Sequence, residues 1–224
     1  MNSTEKSITG YEPKVTLINA PFDPDSIIAI SCDITMKPQF NMINNLQTSK
    51  IKGTVKNLLT MNHTSLFEHI HYTFFIQNIT RSLLAQITRH RIGSFTSSSQ
   101  HYQEYDQHYG FSIDKKHIDN IFVVQAINQS IESYKILRRA GVSKEEARQV
   151  LPNAIHVNLL WSVNARSLIN FLNLRMCKRN VLEMRLFAME IHEIVKKHFP
   201  TLFNLIGPDC FMTQCRQGKM SCQK

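Results

Sequence analysis

Arg89, His90 and Arg91 follow one another without a break, and a stretch rich in hydroxyls, Ser94 and then Thr96 to Ser99, comes directly after them. Guanidinium forks beside serine hydroxyls and free backbone N–H groups are the donor set that holds a phosphate. Positive side chains are also favoured at the C-terminal end of a helix, whose dipole they complement. The three residues taken alone fit either explanation.

The elements that must position them follow from periodicity. Thr80 can cap a helix whose apolar residues Leu83, Leu84 and Ile87 recur at helical spacing, which puts Arg81, Gln86, Arg89 and His90 on or near its other faces and its end close to Gly93. Residues 62–68 are expected to form a polar turn, and 70–76, dense in Tyr, Thr, Phe and Ile, a core strand. Further strands are expected over 15–18 and 156–163, and a helix is expected to open at Pro24 and run through 27–30. A long amphipathic helix over 119–139 is closed by Gly141, and Ser143 to Glu146 is a capping box for a short helix ahead of Pro152. Helices over 165–176 and 181–198 complete the pattern, with Pro200 expected to stop the last one. Long helices with few, non-alternating strands indicate an α+β fold, the helices packed on a small mixed or antiparallel sheet, as a single domain over 1–224 with a cysteine-containing tail from about 207. There is no βαβ series and no glycine fingerprint, so any flavin is bound without a Rossmann unit.

Composition limits the function classes. With 42% apolar residues, thirteen Phe and only seven Gly and seven Pro, the chain can bury a sizeable core and is neither disordered nor repetitive. The formal charge of +9 favours anionic partners without choosing among nucleic acid, membrane surface and phosphorylated small molecules. No zinc-finger, helix-turn-helix or RNA-binding aromatic signature is present, which leaves a noncatalytic nucleic-acid-binding role with little support. No apolar run is long enough to span a bilayer and the N-terminus lacks the apolar core of a signal peptide, so a cytoplasmic protein is expected. Cys210, Cys215 and Cys222 crowd the tail, but three ligands fall short of the four of a structural zinc, so free thiols and no metal are expected.

The order of short motifs resembles the flavin-dependent thymidylate synthase family. Its R-H-R-x-x-S signature is matched by Arg89-His90-Arg91-Ile92-Gly93-Ser94, with Ser99 five residues on and Tyr102 in place of the tyrosine of its R-Y pair. His63 to His69 resembles the family's H-E-S-x-x-E-H block, and Leu151-Pro152-Asn153-Ala154, Asn164 to Leu168, Asn173-Leu174-Arg175 and Glu183-Met184-Arg185 match later blocks in order. The resemblance thus covers most of the chain from about residue 60 onward. It implies an FAD-dependent reductive methylation of dUMP to dTMP, with methylenetetrahydrofolate and NADPH as co-substrates, in a homotetramer whose sites draw on several subunits. His63, Ser65, Glu68, His90, Arg91, Ile92, Asn173 and Arg175 would approach FAD or the folate stacked on it. Gln86, Arg89, Ser99 and Arg185 would approach the nucleotide, within a region that includes Ser97, Ser98, Gln100, His101 and Asn158. Without the resemblance, His63 reads as a loop or capping residue and Glu68 as an ordinary exposed acid.

The chemistry asks for such residues. Negative charge that develops on a uracil ring is stabilised by a guanidinium near its carbonyls, the role implied for Arg185 as a catalytic residue together with His63. No cysteine nucleophile is needed, and Cys177 is expected to be a buried helix residue. Three departures fall in the nucleotide half: His101 where the family has arginine, Asn158 where it has Lys or Arg, and Asn180-Val181 for an Ala-Gln pair. Two of these remove permanent positive charge, which opens an alternative acceptor such as UMP and would make a protonated His101 the substitute for arginine.

Overall fold

The computed structural model describes residues 7–36, 48–105, 109–212, 214–215 and 217–222. The first six residues, part of the polar N-terminus, lie outside these. Strands β1 (Ser7–Gly10) and β2 (Lys14–Asn19) are followed by helices α1 (Pro24–Met36) and α2 (Thr48–Thr60), then a 3-10 segment (Thr64–His69) and strand β3 (His71–Thr80). Helix α3 (Arg81–Ile87) leads to β4 (Ser94–Ser97) and β5 (Gly110–Ile113), and then come α4 (Ile121–Arg139) and α5 (Lys144–Ala147). Strand β6 (His156–Asn164) precedes α6 (Ala165–Arg175), α7 (Leu182–His198), α8 (Pro200–Phe203) and α9 (Asp209–Met212). The strands form two small sheets, one in the order β2-β3-β6-β4 and one in which β1 pairs parallel with β5, Ile8 opposite Phe111. The fold is α+β, as the pattern of elements indicates. No helix among the described residues is long and apolar enough to cross a membrane.

The chain divides into two compact units. One comprises the described residues of Met1–Thr16, Phe75–Arg91 and Phe95–Trp161, the other those of Leu17–Phe74, Ile92–Ser94 and Ser162–Lys224. In the first, Ile127, Ile131 and Tyr134 lie at intervals of four and three along α4 and are buried with Phe111, Ile113, Ile155, Tyr105 and Ala147. That spacing keeps one stripe of the helix in the core. Asn120 caps α4 by accepting from the Phe122 N–H (3.1 Å), and Gly141, at φ +84°, supplies the left-handed turn that ends it.

In the second unit, Met184, Phe187, Ala188, Ile191 and Val195 form the buried stripe of α7, and the Phe187 ring meets Phe171 of α6 edge to face with centroids 5.9 Å apart. His192 Nε2 lies 2.9 Å from the Phe203 carbonyl, joining α7 to α8.

Several local expectations are corrected. The helix that opens at Pro24 continues to Met36, and residues 64–69 are a 3-10 segment rather than a turn. The core strand does not stop at 76. Asn78 adopts φ +59°, which slips the in-out alternation so that Ile79 and Thr80 are buried and the strand continues into the cap of α3. Helix α3 ends at Ile87, well before Gly93. Pro200 does not merely stop a helix: α7 ends before Phe199, and Pro200 opens α8 at a position where its missing N–H is of no consequence. Cys177 lies beyond the end of α6, in a turn, and is only partly buried.

Candidate functional site

The first unit holds the arginine pair and the serine loop. Thr80, 2% exposed, accepts the Leu83 N–H at 3.0 Å and starts α3, whose Leu83, Leu84 and Ile87 anchor it in the core. At its far end the Thr88 N–H reaches the Leu84 carbonyl (3.1 Å) and the His90 N–H that of Ile87 (3.0 Å). Gln86 is half-buried on the helix, while Arg89, His90 and Arg91 stand just past it on the turn into β4. Arg89 and Arg91 are exposed, His90 is half-buried, and neither arginine has an ion pair among the described residues.

The hydroxyls that follow divide their work. Ser97 is exposed. Ser98 Oγ accepts the Asn158 N–H at 2.9 Å, and the Ser98 N–H donates to the Asn158 carbonyl at 2.9 Å, so Asn158 fixes the loop through its backbone while its side chain is exposed. Ser99 Oγ accepts the His101 N–H at 3.2 Å, and the Ser99 carbonyl takes the Tyr102 and Gln103 N–H groups, curling 99–103 into a single turn. Gln100 faces inward and is buried, beside the Tyr105 hydroxyl.

His101 points at an acid. Its Nδ1 is 3.4 Å from Glu145 Oε2 on α5, and its ring is edge-on to Tyr102 at 4.6 Å. Glu145 also lies 4.0 Å from Arg148, and Lys144 Nζ meets Glu104 at 2.7 Å, so the His101 contact to Glu145 and the Lys144–Glu104 ion pair both fasten the loop to α5. The hydrogen bond from Lys144 holds the Glu104 carboxyl below its ordinary value. Underneath, Phe95 of β4 stacks on Trp161 of β6, centroids 6.1 Å apart and planes 10° from parallel.

The second unit holds the other candidate residues. Helix α2 ends in a Schellman turn: the His63 N–H bonds the Leu58 carbonyl (2.8 Å), the Asn62 N–H that of Leu59 (3.1 Å), and Asn62 takes φ +58°. His63 is therefore a capping residue through its backbone, and its exposed imidazole leads into Thr64–His69. That segment packs against α6, where the Ala165 N–H reaches the Ile70 carbonyl at 2.8 Å. Ser65 and Glu68 are on its exposed side, and Glu68 Oε1 pairs with Arg166 Nη1 at 2.5 Å.

Farther along α6, Asn173 has a carbonyl oxygen buried without a hydrogen-bond partner. Arg175 at the helix end donates to Asn180 Oδ1 at 3.3 Å. Ile92 is 70% exposed, and Arg185 is half-buried in the first turn of α7 beside the buried Glu183. All five cysteines are free thiols, and no group of three or more metal-ligating side chains occurs among the described residues. The Cys215 thiol is pushed below its ordinary value, chiefly by a hydrogen bond from Ser221.

Two contributors escape inspection of the sequence, Glu145 and Arg166, and a third, Asn180, shows there only as a departure from the family pattern, without its partners. Arg166 does carry a signal. A cation in the first turn of a helix opposes the dipole, so its presence there implies an acidic partner, and Glu68 is that partner. Glu145 reads only as part of a capping box, and the Asn180 turn is invisible to periodicity.

The family described as Thymidylate synthase complementing protein (Thy1) matches residues 16–201. A flavin-dependent thymidylate synthase of Clostridium tetani is 32% identical, covering 94% of this chain and 93% of its own length. That of Geobacter sulfurreducens is 31% identical over 94% of each chain, and that of Saccharolobus solfataricus 32% identical over 88% of this chain and 78% of its own. Among solved structures, a UMP/dUMP methylase, PolB of Streptomyces cacaoi, bound with 5-Br dUMP, is similar in fold: TM-score 0.78 at 21% identity, covering 88% of this chain and 95% of that one. The chain is a methyltransferase by these matches. It belongs to the flavin-dependent thymidylate synthase family, and the resemblance carried by Arg89-His90-Arg91 and the blocks around it is borne out.

The family implies a flavin. The residues present fit one: the buried Asn173 Oδ1, which has no hydrogen-bond partner among the described residues, is an acceptor that the imide N–H of an isoalloxazine would satisfy.

Proposed function

We propose that this chain catalyses the FAD-dependent reductive methylation of dUMP to dTMP, taking the one-carbon unit from methylenetetrahydrofolate and reducing equivalents from NADPH. The observation that carries the reading is the exposed pair Arg89 and Arg91, with no ion pair among the described residues, on a turn anchored by α3 and followed in sequence by the exposed Ser97 of β4, within a chain of this family. Arg89, Gln86 and Ser99 bind the nucleotide, with Ser97 and Ser98 at its phosphate and Gln100, His101 and Asn158 shaping the loop. Ser65, Glu68, His90, Arg91, Ile92, Asn173 and Arg175 hold FAD, and His63 lies toward the folate. The bound flavin supplies the hydride of the reduction. Arg185 stabilises the negative charge that develops at the pyrimidine carbonyls, where a fixed guanidinium is worth more than solvent because it needs no reorganisation. These residues need not meet within one chain, since a homotetramer with shared sites is part of the proposal.

A second acceptor, UMP, is motivated by the fold shared with a UMP/dUMP methylase; the contact of His101 with Glu145 bears on the phosphate that both nucleotides carry and does not choose between them. Titrating the flavin-loaded protein with dUMP and, separately, UMP while following the flavin absorption spectrum decides between them. A saturable change with dUMP is expected. A response to UMP alone makes UMP the acceptor, and no response to either refutes the nucleotide assignment.

A further inference from the structure

Asn180, in the turn between α6 and α7, makes three side-chain hydrogen bonds. Its Nδ2 donates to the Leu174 carbonyl at 2.7 Å and to the Cys177 carbonyl at 3.3 Å, while Oδ1 accepts from Arg175 Nη1 at 3.3 Å. The arrangement has only one chemically sensible orientation. Carbonyl oxygens accept and a guanidinium only donates, so turning the amide over would set oxygen against two carbonyls and NH2 against a cation. The two donated bonds thus fix the plane of the amide and, with it, the direction from which Arg175 is held.

The same bonds serve the end of α6. The last carbonyls of a helix have no intrahelical donor, and Asn180 supplies Leu174 with one and then closes the turn at Cys177, whose carbonyl also takes the Asn180 N–H at 3.0 Å. Asparagine is therefore both the cap of the helix and the rest for the arginine that terminates it. An alanine at this position would make none of the three side-chain bonds and would keep only the backbone N–H to the Cys177 carbonyl.

We infer that Asn180 is a positioning residue for FAD binding in this chain, holding the Arg175 guanidinium in the direction from which it meets the cofactor. The inference rests on the proposed role of Arg175 toward FAD. An arginine side chain loses considerable rotamer freedom when it binds, and a neighbour that restrains it beforehand lowers that cost and tightens the complex. Charge alone does not deliver this benefit.

The test is a double-mutant cycle on FAD affinity, read as quenching of flavin fluorescence when the apoprotein is titrated with FAD, with thermal unfolding recorded for every variant. Arg175→Ala is expected to weaken FAD at least tenfold, and Asn180→Ala three- to tenfold. Adding Asn180→Ala to Arg175→Ala is expected to bring no further loss. An equal loss from Asn180→Ala in both backgrounds would show that it acts only by capping α6, and no loss in the parent would show that it does nothing for FAD; either overturns the inference and leaves the role of Arg175 intact. If Arg175→Ala binds FAD as the parent does, both the role of Arg175 and that of Asn180 fall. Should Asn180→Ala not fold, Arg175→Lys keeps both the charge and the Asn180 cap. A several-fold loss in that variant is expected, and parental affinity overturns the importance of a held guanidinium.

Discussion

His101 Nδ1 lies 3.4 Å from Glu145 Oε2, at the end of the loop that carries Ser97, Ser98 and Ser99. Where the motif resemblance implies an arginine, this chain has a histidine facing an acid, so any charge on His101 is met within the protein. Replacing His101 by arginine adds a permanent cation beside Glu145, whose carboxylate Arg148 already partly neutralises. A charge-assisted hydrogen bond contributes about 1.5 to 3 kcal/mol, and at a half-exposed site solvent reduces this. His101→Arg is accordingly expected to tighten dUMP binding by roughly three- to tenfold, with the gain shrinking as salt is raised. Isothermal titration at two ionic strengths checks it; unchanged affinity would place His101 away from the phosphate.

Thr80 links the end of β3 to the helix that presents Arg89. Its Oγ1 accepts the Leu83 N–H in a nearly solvent-free place, so Thr80→Ala leaves a buried donor without an acceptor and removes the N-cap. Together these cost about 1 to 2 kcal/mol. Thr80→Ser retains the oxygen and is expected to recover most of the loss. Urea midpoints of the three proteins measure the effect, and a Thr80→Ala midpoint equal to the parent's would rule out the cap as a stabilising contact.

Much of this was open to inspection of the sequence, for reasons that differ by element. Helix α4 is legible because its buried residues repeat at helical intervals between an Asn cap and a Gly stop, and the motif around Arg89 because residue identities, not geometry, mark it. The continuation of β3 past Ile76 is not legible, since it depends on Asn78 taking a left-handed conformation that breaks the alternation on which strand recognition relies. The partners of the candidate residues are hidden for another reason. Glu68 and Arg166 are separated by 98 positions and His101 and Glu145 sit on different elements, so only the tertiary fold pairs them. Asn180 is the intermediate case: its partners Leu174, Arg175 and Cys177 are close in sequence, but a turn of this kind has no period to detect.

Trp161, the one tryptophan of the chain, makes the serine loop observable. Its ring is buried and stacked on Phe95, two residues before Ser97. Emission is expected to be blue-shifted in the folded protein, and dUMP binding at the loop is expected to change its intensity through the Phe95 contact. Phe95→Leu removes the stacked ring and is expected to abolish that change while costing about 1 kcal/mol of stability. A nucleotide-dependent signal that persists in Phe95→Leu would mean that Trp161 senses the ligand by another route.

His156 gives the fold a dependence on pH that does not involve the candidate site residues. Its Nε2 lies 2.7 Å from Ser112 Oγ, which in turn stands 3.3 Å from Thr9 Oγ1, and the ring sits so close over Gly110 that a Cβ there would approach Nδ1 to 2.5 Å. Burial lowers the His156 pKa from the ordinary 6.5, because the enclosed ring resists taking a charge. The unfolded chain therefore binds this proton more readily than the folded one. By linkage, the neutral ring's contribution is fully present above about pH 6.5 and is lost as the pH falls below that value toward the lowered folded pKa. Urea midpoints of the parent are expected to fall between pH 7.5 and 5.5. His156→Gln retains a polar group beside Ser112 but cannot titrate, so it is expected to be about 1 to 2 kcal/mol less stable at pH 7.5 and to show a shallower fall on acidification. The remaining histidines contribute alike to both proteins, so the difference in slope isolates His156; equal slopes would show that burial does not set its protonation.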